Sequence, residues 1–196
     1  MIIACDPAAS EKYTSARTSQ TAVVVLATAS DGSQFVINIK ADYARVSLVF
    51  DWLFHYAEVY SSYFNQTVLE TQGPFKLLGP LLLEEQNKRM LKAYEDGTKP
   101  VTLKLNSVGK TGDKDSVIRS TLEPVFQAGK LYCEESVYDL LYEQKMGFPQ
   151  SRKKDILDAL SLAVASNSRP RNEQETAIKK KRDNRFKRRR VNVTGY

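Results

Sequence analysis

One histidine, His55, and two cysteines, Cys5 and Cys133, are the only imidazole and thiol side chains among the 196 residues. Zinc sites built from several His and Cys are thereby excluded, and so, for practical purposes, is catalysis by a Ser–His or Cys–His pair. His55 lies in a helical pattern but off its apolar stripe, which predicts a half-exposed surface residue. The cysteines sit in apolar, strand-like runs. They read as buried, reduced thiols of a cytosolic protein, and nothing in their placement asks for a disulfide. No apolar run is long enough to span a bilayer, so no membrane is expected, and no secretory leader is recognised. A phosphate-cradling loop is missing too. Gly109-Lys110-Thr111 has the end of one, but Lys104 stands where the motif needs its first glycine, and the motif is rejected. Any metal bound here must be held by oxygen, which favours magnesium or manganese.

Charge is present but unevenly spread. The formal net charge is +6. From Arg169 onward there are 11 Lys/Arg against 3 Asp/Glu, which leaves 18 against 20 for the rest. The body is nearly neutral and the tail strongly basic, a balance that suggests a polyanionic partner. Residues 1–168 are long enough for one domain with a real core. Residues 169–196 turn to Ser, Asn, Arg, Pro and Lys, with little to bury, and read as a tail that is disordered in isolation.

Residues 2–5 form a short apolar run that ends at Asp6-Pro7. The residue before a proline is pushed to extended geometry, so Asp6 is expected at the C-terminal tip of a strand. Two β-branched runs, 21–29 and 34–39, flank Asp31-Gly32, a hairpin signal. Val46, Val49, Phe50, Leu53, Ala57 and Tyr60 recur at helical spacing within 42–62. A strand over 67–70 ends in Glu70, and a helix follows from about 75 to 94, with Pro80 as a kink or as part of its true first turn. A strand is predicted over 101–105, then a Gly-rich basic loop over 106–114. A helix over 115–127 turns Val117, Ile118, Leu122, Val125 and Phe126 inward and is closed by Gly129. A strand over 130–133, a helix over 136–146 and a last helix over 153–165 complete the body. The order predicts an α/β fold: a mixed sheet whose first three strands are antiparallel and whose later strands are parallel, with helices on both faces.

The last helix begins with two acids, Asp155 and Asp158, which share a face at a spacing of three. Leu157, Leu160, Ala163 and Val164 supply its buried stripe, with Asp158 at the edge, while Ala159 and Ala165 let another element approach closely. Sites in parallel sheets form at the carboxyl ends of neighbouring strands. If the strands ending in Asp6 and Glu70 are such neighbours, both carboxylates project from one sheet edge and the helix acids can lie across it. Carboxylates that close repel strongly and become sensible when divalent cations neutralise them. Two cations about 3.5–4 Å apart can activate a water and stabilise the leaving oxygen of a phosphodiester. The plain alternative is a turn at Asp6, an exposed strand end at Glu70 and solvated acids on the helix.

Ile3-Ala4-Cys5-Asp6-Pro7-Ala8, Val68-Leu69-Glu70-Thr71-Gln72-Gly73 and the Asp155–Ala163 stretch resemble the three acidic motifs of ribonuclease H-like nucleases. More narrowly they resemble the C-terminal nuclease domain of the large terminase subunit of tailed bacteriophages. The resemblance extends over Asp113-Lys114, Arg119, Leu122–Phe126, Gly129–Tyr132, Glu143 and Gly147-Phe148-Pro149. It implies a ribonuclease H-like fold and a DNA endonuclease that cuts concatemeric viral DNA during genome packaging, in the host cell cytoplasm. It implies Asp6, Glu70 and Asp158 as ligands of two Mg²⁺ or Mn²⁺ ions, one shared by Asp6 and Asp158 to activate water, the other between Asp6 and Glu70 at the departing oxygen. Asp155 matches a supporting ligand. Partners implied are double-stranded DNA, a terminase ATPase domain, the small terminase subunit and the portal protein. Two features depart from the pattern. Ser19-Gln20 stand where many terminases carry a further acid, and no ATPase motor is present, so an excised domain is expected ahead of a stand-alone nuclease.

The Asp-x-x-Asp-Ala-Leu helix is also similar to that of Holliday-junction resolvases, a rival reading within the same fold. A third reading is a non-catalytic DNA-binding or assembly module that works through its tail. Lys110, Lys114 and Arg119 flank the Gly-rich loop, and Lys153 and Lys154 adjoin the acids; each is either a phosphate contact or a solvated charge. Lys179, Lys180, Lys181, Arg182, Arg188, Arg189 and Arg190 form a denser run that suits a phosphate backbone without reading sequence, or else protein docking.

Overall fold

The computed structural model describes residues 1–8, 19–109 and 112–167. The chain runs β1 (Ile2–Asp6), β2 (Thr21–Thr28), β3 (Gln34–Asp42), α1 (Val46–Val59), β4 (Gln66–Glu70), a 3₁₀ turn (Gly73–Leu77), α2 (Leu78–Glu95), β5 (Leu105–Val108), α3 (Lys114–Gln127), β6 (Leu131–Cys133), α4 (Glu135–Gly147) and α5 (Asp155–Ala165). One six-stranded sheet has the order β5-β4-β1-β2-β3-β6. β1, β2 and β3 are antiparallel, while β4 joins β1, β5 joins β4 and β6 joins β3 in parallel. This is the mixed α/β sheet expected from the element order, with helices on both faces.

Side-chain alternation along the strands divides the core into two layers. Ile3, Cys5, Val23, Val25 and Leu69 pack with Val49, Phe50, Leu53 and Ala57 of α1 and Leu78 and Leu82 of α2. Ile2, Ala4, Ala22, Val24 and Val68 face the other way, against α5, with Ile118 and Leu122 of α3 and Val137 and Leu141 of α4 around it. The second layer carries the site. Asp6 continues the Ile2, Ala4 parity and Glu70 continues that of Val68, so both belong to the α5 face.

Several local expectations shift. The strand predicted at 101–105 forms at Leu105–Val108 instead, because its partner β4 pairs Thr67 with Leu105 and Glu70 with Val108. Part of the expected Gly-rich loop is therefore sheet. Gly79 suits this edge, since a Cβ there would meet the Ser107 hydroxyl at 3.4 Å. Pro80 lies in the first turn of α2, where it costs no helical hydrogen bond. Val46 is exposed and begins α1 rather than joining the core stripe, and His55 is exposed on the same helix. Cys133 is half-buried on the short edge strand. Ala165 is exposed at the end of α5. The basic tail 169–196, with Lys179, Lys180, Lys181, Arg182, Arg188, Arg189 and Arg190, lies outside the described residues, as do Lys110 and the proposed 168/169 boundary. Among the described residues no helix is long and apolar enough to cross a membrane.

Candidate metal centre

Two strand ends and one helix start build the site. Cys5 pairs with Leu69 in parallel register, which brings Asp6 and Glu70 side by side at the carboxyl ends of β1 and β4. Beyond Asp6 the chain turns away at Pro7, and Ala8 N–H donates to Thr21 Oγ1 at 2.9 Å, fixing the exit. α5 lies across β1 and β2 and delivers Asp158 from its first turn. One carboxylate oxygen from each of Asp6, Glu70 and Asp158 lies within 4.8 Å of the others. Asp158 is 1 % exposed and Asp6 7 %, so water screens this cluster little.

α5 is not amphipathic in context. Every residue from Asp155 to Ala163 is buried, because the helix is enclosed between the sheet and the pair α3 and α4. Burying both acids needs partners. Asp155 Oδ2 accepts from the Gln20 backbone N–H at 3.0 Å, tying the helix to the segment that enters β2. Burial pushes the Asp155 pKa up, against the Gln20 hydrogen bond and the positive charges of Lys114 and Lys154. The cluster of three therefore forms without Asp155, whose described hydrogen bond is to Gln20.

The start of α5 is capped from another helix. Lys154, at the N-cap position, supplies no side-chain cap. Gln144 of α4, itself buried, accepts from Ile156 N–H at 2.9 Å and Leu157 N–H at 3.4 Å. The chain reaches α5 from α4 through a tight reversal. Ser151 N–H donates to Gly147 O at 2.6 Å, and a Cβ at Gly147 would stand 2.7 Å from that of Ser151. Nothing in the sequence singled out Gln144, and Gln20 drew notice only as a departure from an acidic position; their roles exist only across elements.

The basic residues divide. The Lys114 ammonium is 3.3 Å from Asp6 Oδ2 and forms an ion pair with Asp158 Oδ2. Lys154 pairs with Asp115. Arg119 and Lys153 are exposed. Asp113 caps α3, its Oδ2 accepting from Ser116 N–H and Ser116 Oγ, each at 2.9 Å. Cys5 lies beneath the cluster on the opposite face of β1, where burial, then the Asp6 and Glu70 carboxylates, push its thiol pKa far up.

The donor set fits a hard divalent cation: three carboxylates, no sulfur or imidazole among them, drawn together where their charges repel. Two buried acids and a half-buried third in this space would be costly without positive charge to offset them.

The chain matches no protein-family model, and no curated protein matches it in sequence. Among solved structures it is similar to the yeast mitochondrial Holliday junction resolvase Ydc2, with a TM-score of 0.51 and 12% sequence identity, over 83% of this chain and 77% of that one. The likeness is one of fold, and it agrees with the ribonuclease H-like architecture that the strand order displays.

Proposed function

We propose that the chain is a divalent-metal-dependent DNA endonuclease that hydrolyses phosphodiester bonds. The observation that carries this reading is the convergence of Asp6, Glu70 and Asp158, which lie far apart in sequence, with oxygens within 4.8 Å of one another. Asp6, Glu70 and Asp158 would hold Mg²⁺ or Mn²⁺, with Asp155 as a supporting ligand. Bound there, the ions would supply an activated water for in-line attack and stabilise the departing oxygen. The chain's own contribution is orientation. The parallel register of β1 and β4 fixes two carboxylates at one sheet edge, and the capped first turn of α5 presents the third. Arg119 and Lys153, both exposed, and Lys110 are the proposed contacts to DNA phosphates, together with the 179–190 run of the tail.

Two substrates remain in play, each with its own support. The fold likeness to a junction resolvase favours branched DNA, cut by a dimer. The motif flanks around Lys114, Arg119 and Gly147 favour linear duplex cut during viral genome packaging, with the ATPase domain, small subunit and portal as partners. Cleavage of a four-way junction and of linear duplex of the same sequence, compared at equal enzyme concentration, separates them. Preference for the junction supports the resolvase reading, and comparable cutting of linear DNA the packaging reading.

The endonuclease reading itself is tested with Asp6→Asn. The variant should lose Mg²⁺- and Mn²⁺-dependent cleavage while still binding DNA. Retained metal-dependent cutting by a clean preparation refutes the assignment.

A further inference from the structure

We infer that Lys114 is a positioning residue for the acidic cluster: its ammonium holds Asp6 and Asp158 together before a divalent ion arrives, and must give way when one does. The inference rests on the metal-dependent reading above. Asp6 closes β1 and Asp158 opens the last helix, and the Lys114 ammonium touches both. The oxygen it takes on each is Oδ2, in the group whose oxygens stand close enough to share a cation. The ammonium holds oxygens that an ion shared by Asp6 and Asp158 would need, and its charge repels that ion. The ammonium and an incoming ion are therefore competitors.

Lys114 is aimed at the cluster by the first turn of α3. Asp113, one residue earlier, caps the helix through Ser116. Asp115, one residue later, pairs with Lys154 at the start of α5. The two helices thus exchange charges in both directions, Lys114 to Asp158 and Lys154 to Asp115. Ile118 and Leu122 anchor α3 in the same core layer as α5. Lys114 stands in the first turn of α3, and its side chain is 41% exposed. The ammonium can leave without being buried elsewhere, while the acids it leaves cannot follow.

The test uses the full chain and Lys114→Met, which keeps the aliphatic stem and removes the charge. Mn²⁺ is titrated calorimetrically into both proteins, and melting is followed in EDTA and in Mg²⁺. The variant should bind Mn²⁺ roughly tenfold more tightly, the order of effect of one nearby charge in a partly screened site. It should melt lower in EDTA by about 3 °C or more, and the gap should close in Mg²⁺. Lys114→Arg should behave like the unaltered chain in both measurements. Equal or weaker Mn²⁺ binding by the Met variant, with the same melting deficit in EDTA and in Mg²⁺, overturns the inference and leaves the metal site standing. Absence of binding by both proteins overturns the metal site and the inference with it. Should the Met variant fail to fold, Mn²⁺-soaked crystals of the unaltered chain decide: an ion in the cluster with Lys114 moved out of ion-pair range of Asp158 supports it, and an ion with that pair intact overturns it.

Discussion

The side-chain oxygen of Gln144 accepts the backbone N–H of Ile156 at 2.9 Å, so one helix caps another. The first N–H groups of a helix have no partner within it, and here they are buried. Gln144→Leu keeps the volume and removes the acceptor. It should cost about 1–3 kcal/mol, the range for an unsatisfied buried donor. The shift of the urea midpoint measures it. Because the same turn carries Asp158, metal-dependent cleavage should fall as well, in protein that is still folded.

Asp155 gives a pH dependence whose sign can be worked out. Its pKa is raised by burial, so the metal-free folded chain holds that proton to higher pH than the unfolded chain does. Between the ordinary Asp value of about 3.9 and the raised native value, the folded state binds more protons and stability falls as pH rises. Above that window the loss is constant. Asp155→Asn should remove this slope and melt higher than the unaltered chain at neutral pH in EDTA, since an amide oxygen can still accept from Gln20. The melting temperature of both proteins across pH checks it. The same variant should keep more cleavage activity than Asp158→Asn, as expected of a supporting ligand.

The cap of α3 should respond in the opposite sense. Hydrogen bonds from Ser116 hold the Asp113 pKa below its ordinary value. A depressed carboxylate stabilises the fold above its unfolded pKa, and that contribution is lost as pH falls through the folded value. Asp113→Ala should therefore melt lower than the unaltered chain at neutral pH, and the two curves should meet in acid.

Removing residues 169–196 deletes 11 Lys/Arg and 3 Asp/Glu. For duplex DNA, every phosphate that the protein ceases to neutralise flattens the dependence of log K on log salt by roughly 0.9. The truncated chain should bind duplex DNA more weakly and with a shallower salt slope, yet keep metal-dependent cleavage at low salt. Loss of all cleavage with unchanged metal binding would point to the tail as the working part of the molecule.

The two thiols should differ in reactivity. Cys5 is fully buried and its pKa is pushed far up, whereas Cys133 is half-buried with a smaller rise from burial and then Glu134. A thiol reagent should modify Cys133 first, and Cys5 only after denaturation, read by mass after timed quenching.

Element order was legible in the sequence because periodicity is local. Short apolar runs at 2–5 and 67–70 mark strands that end in acids, and helical spacing marks α1 and α3. Where the signal was short and apolar the boundary slipped, as at β5, because a four-residue strand is placed by its partner's register rather than by its own residues. The acids of α5 were visible, but an enclosed helix carries no amphipathic signature, so the burial of Asp155 was not.

By itself, then, the sequence determined which side chains stand at which strand tips, that a metal held here would need oxygen ligands, and that positive charge gathers after residue 168. Only the tertiary structure decided that Asp6, Glu70 and Asp158 meet, that Asp155 turns to Gln20, and that Lys114 pairs with Asp6 and Asp158. The reason is physical. Backbone propensity and hydrophobic period act within a few residues, whereas these encounters depend on the sheet order β5-β4-β1-β2-β3-β6 and on how α3 and α4 close over α5. Packing across the whole core sets that order, and no single segment encodes it.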